Sequence, residues 1–192
     1  MKLTTPCVQT TIGSPLGPML LAASPAGLAG VWFTDQRHLP PAERIRSWNE
    51  APTHPVLIAA SHQLAAYFLG QQVHFDLPLD LSAGTPFQQA VWRALLQIPS
   101  GATLSYGNLA RQIGKPAAVR AVGAAVGRNP ISIVVPCHRV LGAGGALTGY
   151  AGGLHRKTAL LQLEGALIPE AHQSAPHSAS THTGNGILLP AH

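Results

Sequence analysis

The pattern of apolar residues changes at Ser82-Ala83-Gly84, and this change constrains the fold of the 192-residue chain more than any other feature. Before it, Thr10 to Thr34 alternates apolar stretches with Gly13-Ser14-Pro15 and Ser24-Pro25-Ala26-Gly27, a pattern of short antiparallel strands joined by turns. Pro55 to Phe68 then places Val56, Ala60, Leu64 and Tyr67 or Phe68 on one helical face, and Gly70 stops the helix. His74 to Leu81 reads as a last edge strand, because Pro78 cannot donate to a central ladder. Beyond Gly84 the signals are helical. Thr85-Pro86-Phe87-Gln88 supplies an N-cap, a proline at the first helical position and a glutamine three residues after the cap. Phe87, Val91, Leu95 and Ile98 form the stripe to be buried, and Pro99-Ser100-Gly101 closes that helix. The expectation is an α+β protein with a small sheet-and-helix module over 1–83 and a mainly helical domain over 84–169.

Within the second part, Ser105 opens a short helix over Tyr106 to Ile113, which Gly114 stops, and Lys115-Pro116 leads into another over Ala117 to Val126, ended by Gly127. Two short helices joined by a tight glycine-containing turn make a helix-turn-helix. The second of them carries only Ala, Val, Gly and one long polar side chain, Arg120. Such a helix cannot make an array of bidentate contacts to base edges. Its small side chains let it lie flush against a sugar-phosphate wall, so the expected docking is sequence-independent, in the minor groove, with Arg120 as the group able to enter the base stack. The competing reading is an alanine-rich core helix whose Arg120 reaches out to water.

Val134-Val135-Pro136-Cys137-His138-Arg139-Val140 places a candidate nucleophile at the end of an apolar, β-branched run. Ile131 to Val135 reads as a short buried strand that Pro136 ends. A thiol needs a base or positive potential to act as thiolate, and His138 and Arg139 are the local candidates. Cys7, at the start of the first strand, reads as structural or merely exposed. Two cysteines make no disulfide framework, which fits a reducing cytoplasm, and no apolar run reaches the length of a membrane span. The N-terminus lacks the basic start and apolar block of a signal peptide.

Charge is unevenly distributed. Residues 1–83 carry four Lys or Arg against five Asp or Glu, whereas residues 84–169 carry eight against Glu164 alone. Positive charge therefore gathers in the half that holds Cys137 and points to a polyanionic partner. The stretch 170–192, rich in Ser, Thr, Pro, Gly and His, reads as a disordered tail.

Tyr106, Arg120, Asn129-Pro130, Pro136 to Val140, Gly149-Tyr150-Ala151-Gly152-Gly153, Arg156-Lys157 and Glu164 occur in an order and spacing that resemble the O6-alkylguanine-DNA alkyltransferase family. The resemblance covers roughly 84–168, and the preceding segment resembles, more loosely, the family's ribonuclease-H-like N-terminal domain. It implies repair of O6-alkylguanine in double-stranded DNA by a single irreversible transfer of the alkyl group to Cys137, O4-methylthymine being a further substrate to consider. His138 would act as base through a water and Glu164 would orient and charge it. Asn129 would pin the turn that presents the thiol. Tyr106 would crowd the phosphate 3′ of the lesion, help rotate the nucleotide outward and supply a proton to the departing guanine, with Lys157 as polarising help. Arg120 would fill the gap left in the duplex, and Arg128, Arg139 and Ala121 would join it in contacting DNA. Val140, Tyr150, Ala151 and Gly152 would line the base pocket.

Ala151 stands where some family members have serine, leaving a backbone N–H but no hydroxyl. No cofactor is expected. The cysteine cluster that some bacterial relatives use to bind metal is missing, so no zinc dependence is expected either. The expected state is a cytoplasmic monomer with no membrane association. The alternatives are a non-catalytic binder of alkylated DNA, which would lack the acceptor cysteine, and a Cys-His hydrolase, which would turn over repeatedly.

Overall fold

The computed structural model describes residues 7–71 and 74–167. The expected disorder of 170–192 falls outside them. The first half forms a four-stranded sheet from β1 (Val8–Ile12), β2 (Met19–Ser24), β3 (Gly27–Phe33) and β4 (Asn49–Glu50), with the short helix α1 (Ala42–Arg46) between the last two. The spatial order is β3-β2-β1-β4, antiparallel except where β4 joins β1 in parallel. Every residue of β2 and β3 is buried. One face of this sheet, with Met19, Leu21, Val31 and Phe33, enters the main core, while the other, with Leu20, Ala22 and Trp32, packs on Trp48 and Cys7. Alternating side chains with both faces covered explain why the strands read as continuous apolar runs.

Helix α2 (Pro55–Phe68) closes the inner face with Leu57, Ala60, Leu64 and Tyr67. The expected stripe is borne out apart from Val56, which is only partly buried and leaves its place to Leu57. The expected edge strand near 74–81 reduces to an isolated parallel bridge between Leu79 and Leu28. Its two hydrogen bonds run from Leu28 N–H to Pro78 carbonyl (2.7 Å) and from Asp80 N–H to Leu28 carbonyl (2.8 Å).

The second half comprises α3 (Pro86–Leu95), β5 (Leu104–Ser105), α4 (Tyr106–Gln112), α5 (Val119–Gly127), β6 (Val140–Leu141) and α6 (Leu154–Leu163). Helix α3 starts with the expected capping box: Gln88 N–H donates to Thr85 Oγ1 (3.3 Å) and Thr85 N–H to Gln88 Oε1 (3.0 Å). Gly84 is fixed by packing, since a Cβ there would sit 2.3 Å from the Trp92 ring. Trp92 in turn donates to the Ala125 carbonyl (2.9 Å) and so ties α3 to α5.

Ser105 caps α4 through the Asn108 N–H, and Gly114, at φ 69°, makes the turn toward α5. The expected helix from Ala117 begins as a 3-10 turn over Pro116–Ala118 and becomes α-helical at Val119. The helix-turn-helix is therefore present. Both halves feed one continuous core, in which Leu21, Val31 and Leu64 share a cluster with Val91, Val126, Ile131 and Leu160.

Candidate active site

The residues before Cys137 do not form the expected strand. Ile131 makes a single bridge to Val31 of β3: Val31 N–H donates to the Pro130 carbonyl (2.9 Å) and Ser132 N–H to the Val31 carbonyl (2.9 Å). The chain then folds into tight turns, with Ile133 in the left-handed region at φ 71° despite its β-branched side chain. Asn129 prevents extension. Its Nδ2 donates to the Val135 carbonyl (2.8 Å), weakly to the Ile131 carbonyl (3.4 Å) and to Cys137 Sγ (3.0 Å), while its Oδ1 accepts from Ile131 N–H (3.0 Å). A local side chain that satisfies these backbone groups offers an alternative to a sheet ladder.

Cys137 begins a 3-10 turn, Cys137–Arg139, and is 4% exposed. Burial pushes its thiol pKa up, against the Asn129 hydrogen bond and the charge of Lys157, which pull it down. The resting sulfur is thus protonated and needs a base. His138 is fully buried and its Nε2 lies 2.8 Å from Glu164 Oε1. Burial pushes the Glu164 carboxyl up, but hydrogen bonds from His138, Arg139 and Tyr67 outweigh it and hold the pKa at about 2. An ionised carboxylate only accepts, so Nε2 carries the imidazole proton and Nδ1 is left with its lone pair. Among the described residues, Nδ1 has no hydrogen-bond partner. Burial also pushes the His138 pKa down, against the pull of Glu164, so the imidazole is neutral and basic at Nδ1.

Arg139, expected among the DNA contacts, is 6% exposed and faces inward. Its Nε and Nη2 donate to the two Glu164 oxygens (2.8 Å each) and its Nη1 to the Ile98 carbonyl (2.5 Å). An arginine with three of its donors spent on buried acceptors is not available to phosphate. Its role here is to neutralise and fix Glu164.

Strand β6 directly follows this turn and pairs in parallel with β5, Leu104 opposite Val140 and Ser105 opposite Leu141. This register sets Tyr106, the first residue of α4, beside the site. Tyr106 is half-buried, its hydroxyl donates to the Gly149 carbonyl (3.3 Å), and burial pushes its pKa up, so it stays a proton donor. Lys157, seven residues before Glu164, points to a different part of the site. Its Nζ donates to the Val140 (2.5 Å) and Thr148 (2.7 Å) carbonyls and staples the two ends of the 142–149 loop, and burial brings its pKa down to about 8.

Tyr150, Ala151 and Gly152 continue this loop into α6, and Tyr150 packs on the main core. Gly152 permits close packing, since a Cβ would lie 2.7 Å from the Tyr150 ring and 3.1 Å from Phe33. The Ala151 carbonyl accepts from Arg37 N–H (3.0 Å). Arg156 lies 4.2 Å over Phe33 and donates to the Gly152 (3.0 Å) and Leu16 (2.8 Å) carbonyls, and it pairs with the exposed Asp35. Arg120, Ala121 and Arg128 lie apart from this cluster, exposed on the outer side of α5 and just past its end, whereas Val122, Ala125 and Val126 face the core. Among the described residues, no group of three or more His, Cys, Asp or Glu is placed to hold a metal ion, and no helix is long and apolar enough to cross a membrane.

Tyr67 has no site signal in the sequence, and Arg156, part of the Arg156-Lys157 motif, has no role assigned to it there. Tyr67 donates its hydroxyl to Glu164 (2.7 Å) from 97 residues away, and Arg156 braces the pocket loop. Tyr67 was visible only as part of a buried stripe, which reports burial and not where a hydroxyl points.

Family models match both halves: the 6-O-methylguanine DNA methyltransferase ribonuclease-like domain over 7–81 and the DNA binding domain of the same family over 86–166. The chain belongs to the 6-O-methylguanine DNA methyltransferase family. It is 51% identical over 159 residues to the methylated-DNA–protein-cysteine methyltransferase of Mycobacterium tuberculosis, spanning 83% of this chain and 93% of that protein. A Methanosarcina acetivorans relative of the same description is 51% identical over 152 residues, 79% of this chain and 94% of that one. Among solved structures, Mycobacterium tuberculosis OGT in complex with DNA superposes with a TM-score of 0.75 at 51% identity, covering 81% of this chain and 92% of that one.

Proposed function

We propose that this protein repairs O6-alkylguanine in double-stranded DNA by moving the alkyl group, once per molecule, onto Cys137. The observation that carries this reading is the buried Cys137 thiol adjoining a neutral His138 whose imidazole is oriented by ionised Glu164. Family membership and the DNA complex of a 51% identical relative support DNA as the partner.

A buried sulfur cannot reach an alkyl group inside a stacked base pair, so the nucleotide must be rotated out, at a cost of a few kcal/mol. The exposed side of α5, with Ala121 and Arg120, docks in the minor groove, with Arg128 near the same surface. Arg120 fills the space the base leaves, and Tyr106 at the start of α4 crowds the neighbouring phosphate. The extruded base enters between Val140 and the loop 149–152. His138 Nδ1 takes the thiol proton through a bridging water, and the thiolate attacks the alkyl carbon. The S–C bond forms as the C–O6 bond breaks, and its electron pair leaves on the guanine. Tyr106 protonates the guanine and regains its proton from the His138 side, so the thiol proton ends on the base. Thiol and alkylated base balance the step without a cofactor.

The thioether product has no easy reversal, hence the single turnover. The protein works as a monomer in the reducing cytoplasm, which keeps Cys137 a thiol.

The test is mass spectrometry after incubation with a duplex bearing one O6-methylguanine. One methyl on the Cys137 peptide, at most one per protein and none in Cys137→Ala, is the expected result. Tight binding without a mass change would overturn the transfer reading.

A further inference from the structure

The carboxylate that orients His138 is held from the other half of the chain. Glu164 Oε1 accepts from His138 Nε2 (2.8 Å), Arg139 Nη2 (2.8 Å) and Tyr67 Oη (2.7 Å), and Oε2 accepts from Arg139 Nε (2.8 Å). Tyr67 comes from α2. It is 2% exposed, and its ring packs edge-on against Phe68 (5.5 Å between centroids) and at a tilt of 39° against Phe75 (5.6 Å). A phenylalanine would supply the same packing. The hydroxyl is costly to bury unless it is bonded, and the acceptor it reaches is the carboxylate that also holds the imidazole.

We propose that Tyr67 is a positioning residue for alkyl transfer: its hydroxyl fixes Glu164 and draws charge from the oxygen that His138 uses, and so sets the proton affinity of the base. This rests on the Cys137–His138–Glu164 reading above. Three donors converge on one oxygen, so density given to Tyr67 is withheld from the imidazole. The groups facing this cluster are Arg139 and Lys157 toward His138, Arg139 and Tyr150 toward Tyr67, and Cys137 beside Lys157. Glu164 is the one resting anion among them, and it stabilises the charged form of His138. Burial and the adjoining carboxylate keep the Tyr67 phenol protonated, so it donates throughout the working pH range.

The experiment compares the full-length wild type with Tyr67→Phe. Two quantities are followed: the pH dependence of single-turnover methyl transfer from an O6-methylguanine duplex, and the titration of the isotope-labelled His138 ring by NMR. Removing the hydroxyl returns charge to Oε1 and stabilises the imidazolium. The acid limb and the His138 titration are expected to move up together by about 0.5–1 pH unit. Site-specific fluorotyrosine at position 67, a stronger donor, is expected to move both down, and it keeps the test open should Tyr67→Phe fold poorly. Phe75→Leu loosens the same aromatic cluster without touching Glu164 and is expected to lower the melting temperature with the acid limb and the His138 titration unmoved. Coincident titrations in wild type and the position-67 variants would overturn the proposal, whatever their stability. Failure of the wild type to transfer methyl at any pH would instead strike the functional reading, while the His138 titration would still report on Tyr67.

Discussion

Asn129 and Arg139 show how single side chains make a reactive cysteine out of an apolar segment. Asn129 satisfies three backbone groups of the turn and donates to Cys137 Sγ, which lets Ile133 hold a left-handed conformation that costs about 1–3 kcal/mol. Arg139 neutralises a carboxylate whose side chain is only 2% exposed. Removing one partner of such a pair leaves a buried charge uncompensated. Arg139→Met is therefore expected to lower unfolding free energy by about 3–5 kcal/mol in a denaturant titration, far more than loss of a surface DNA contact would.

At the scale of elements, the proposed function gives α5 the holding of DNA and the loop 142–153 the shaping of the pocket. The outward side of α5 carries no bulk beyond Val119 and Arg120, and the loop is fixed at both ends by Lys157 and braced by Arg156. Arg120 is exposed, so Arg120→Ala is expected to leave stability within about 0.5 kcal/mol of wild type. It should slow methyl transfer from duplex DNA by about 10–100-fold, the equivalent of about 1.4–2.7 kcal/mol of lost support for the unstacked duplex. Transfer from the free modified base should be nearly unchanged. Stopped single-turnover assays on both substrates separate these outcomes.

The two halves share one core, and Tyr67 of the first bonds Glu164 of the second, so the whole molecule is expected to unfold as one body. Trp32 and Trp48 report on the first half and Trp92 on the second. Denaturant unfolding followed in single-tryptophan variants is expected to give coincident transitions, and separated midpoints would show that the halves unfold independently. Acid should destabilise this body in two stages. His138 has a folded pKa below its ordinary 6.5, so the unfolded chain binds its proton first and stability falls as pH drops below about 6.5. Glu164 has a folded pKa of about 2 against an ordinary 4.5, so its contribution is present above 4.5 and is lost between there and 2. Melting temperatures measured from pH 7 to 2 check both, and Glu164→Gln should shrink the lower stage, to which Asp35 and Asp80, also held below their ordinary values, still contribute.

The sequence by itself determined the elements with local causes: the capping box of α3, the serine cap of α4, the glycine turn between α4 and α5, and the buried stripe of α2. The order of motifs that carries the family resemblance also named Tyr106, Asn129, Cys137, His138, Lys157 and Glu164 as one set. Tertiary structure alone decided the rest. Ile131 to Val135 has the composition of a strand, yet β3 offers it one bridge and the other groups bond locally, Val134 N–H to the Ser132 carbonyl, Val135 N–H to the Ile131 carbonyl and Asn129 Nδ2 to the Val135 carbonyl, so it turns. The resemblance puts Arg139 among the DNA contacts, but its guanidinium is held inside the protein by the buried Glu164 carboxylate. Tyr67 was legible as core and illegible as chemistry. Periodicity records which face of a helix leaves water, whereas the partner of a buried hydroxyl depends on which distant segment packs against that face.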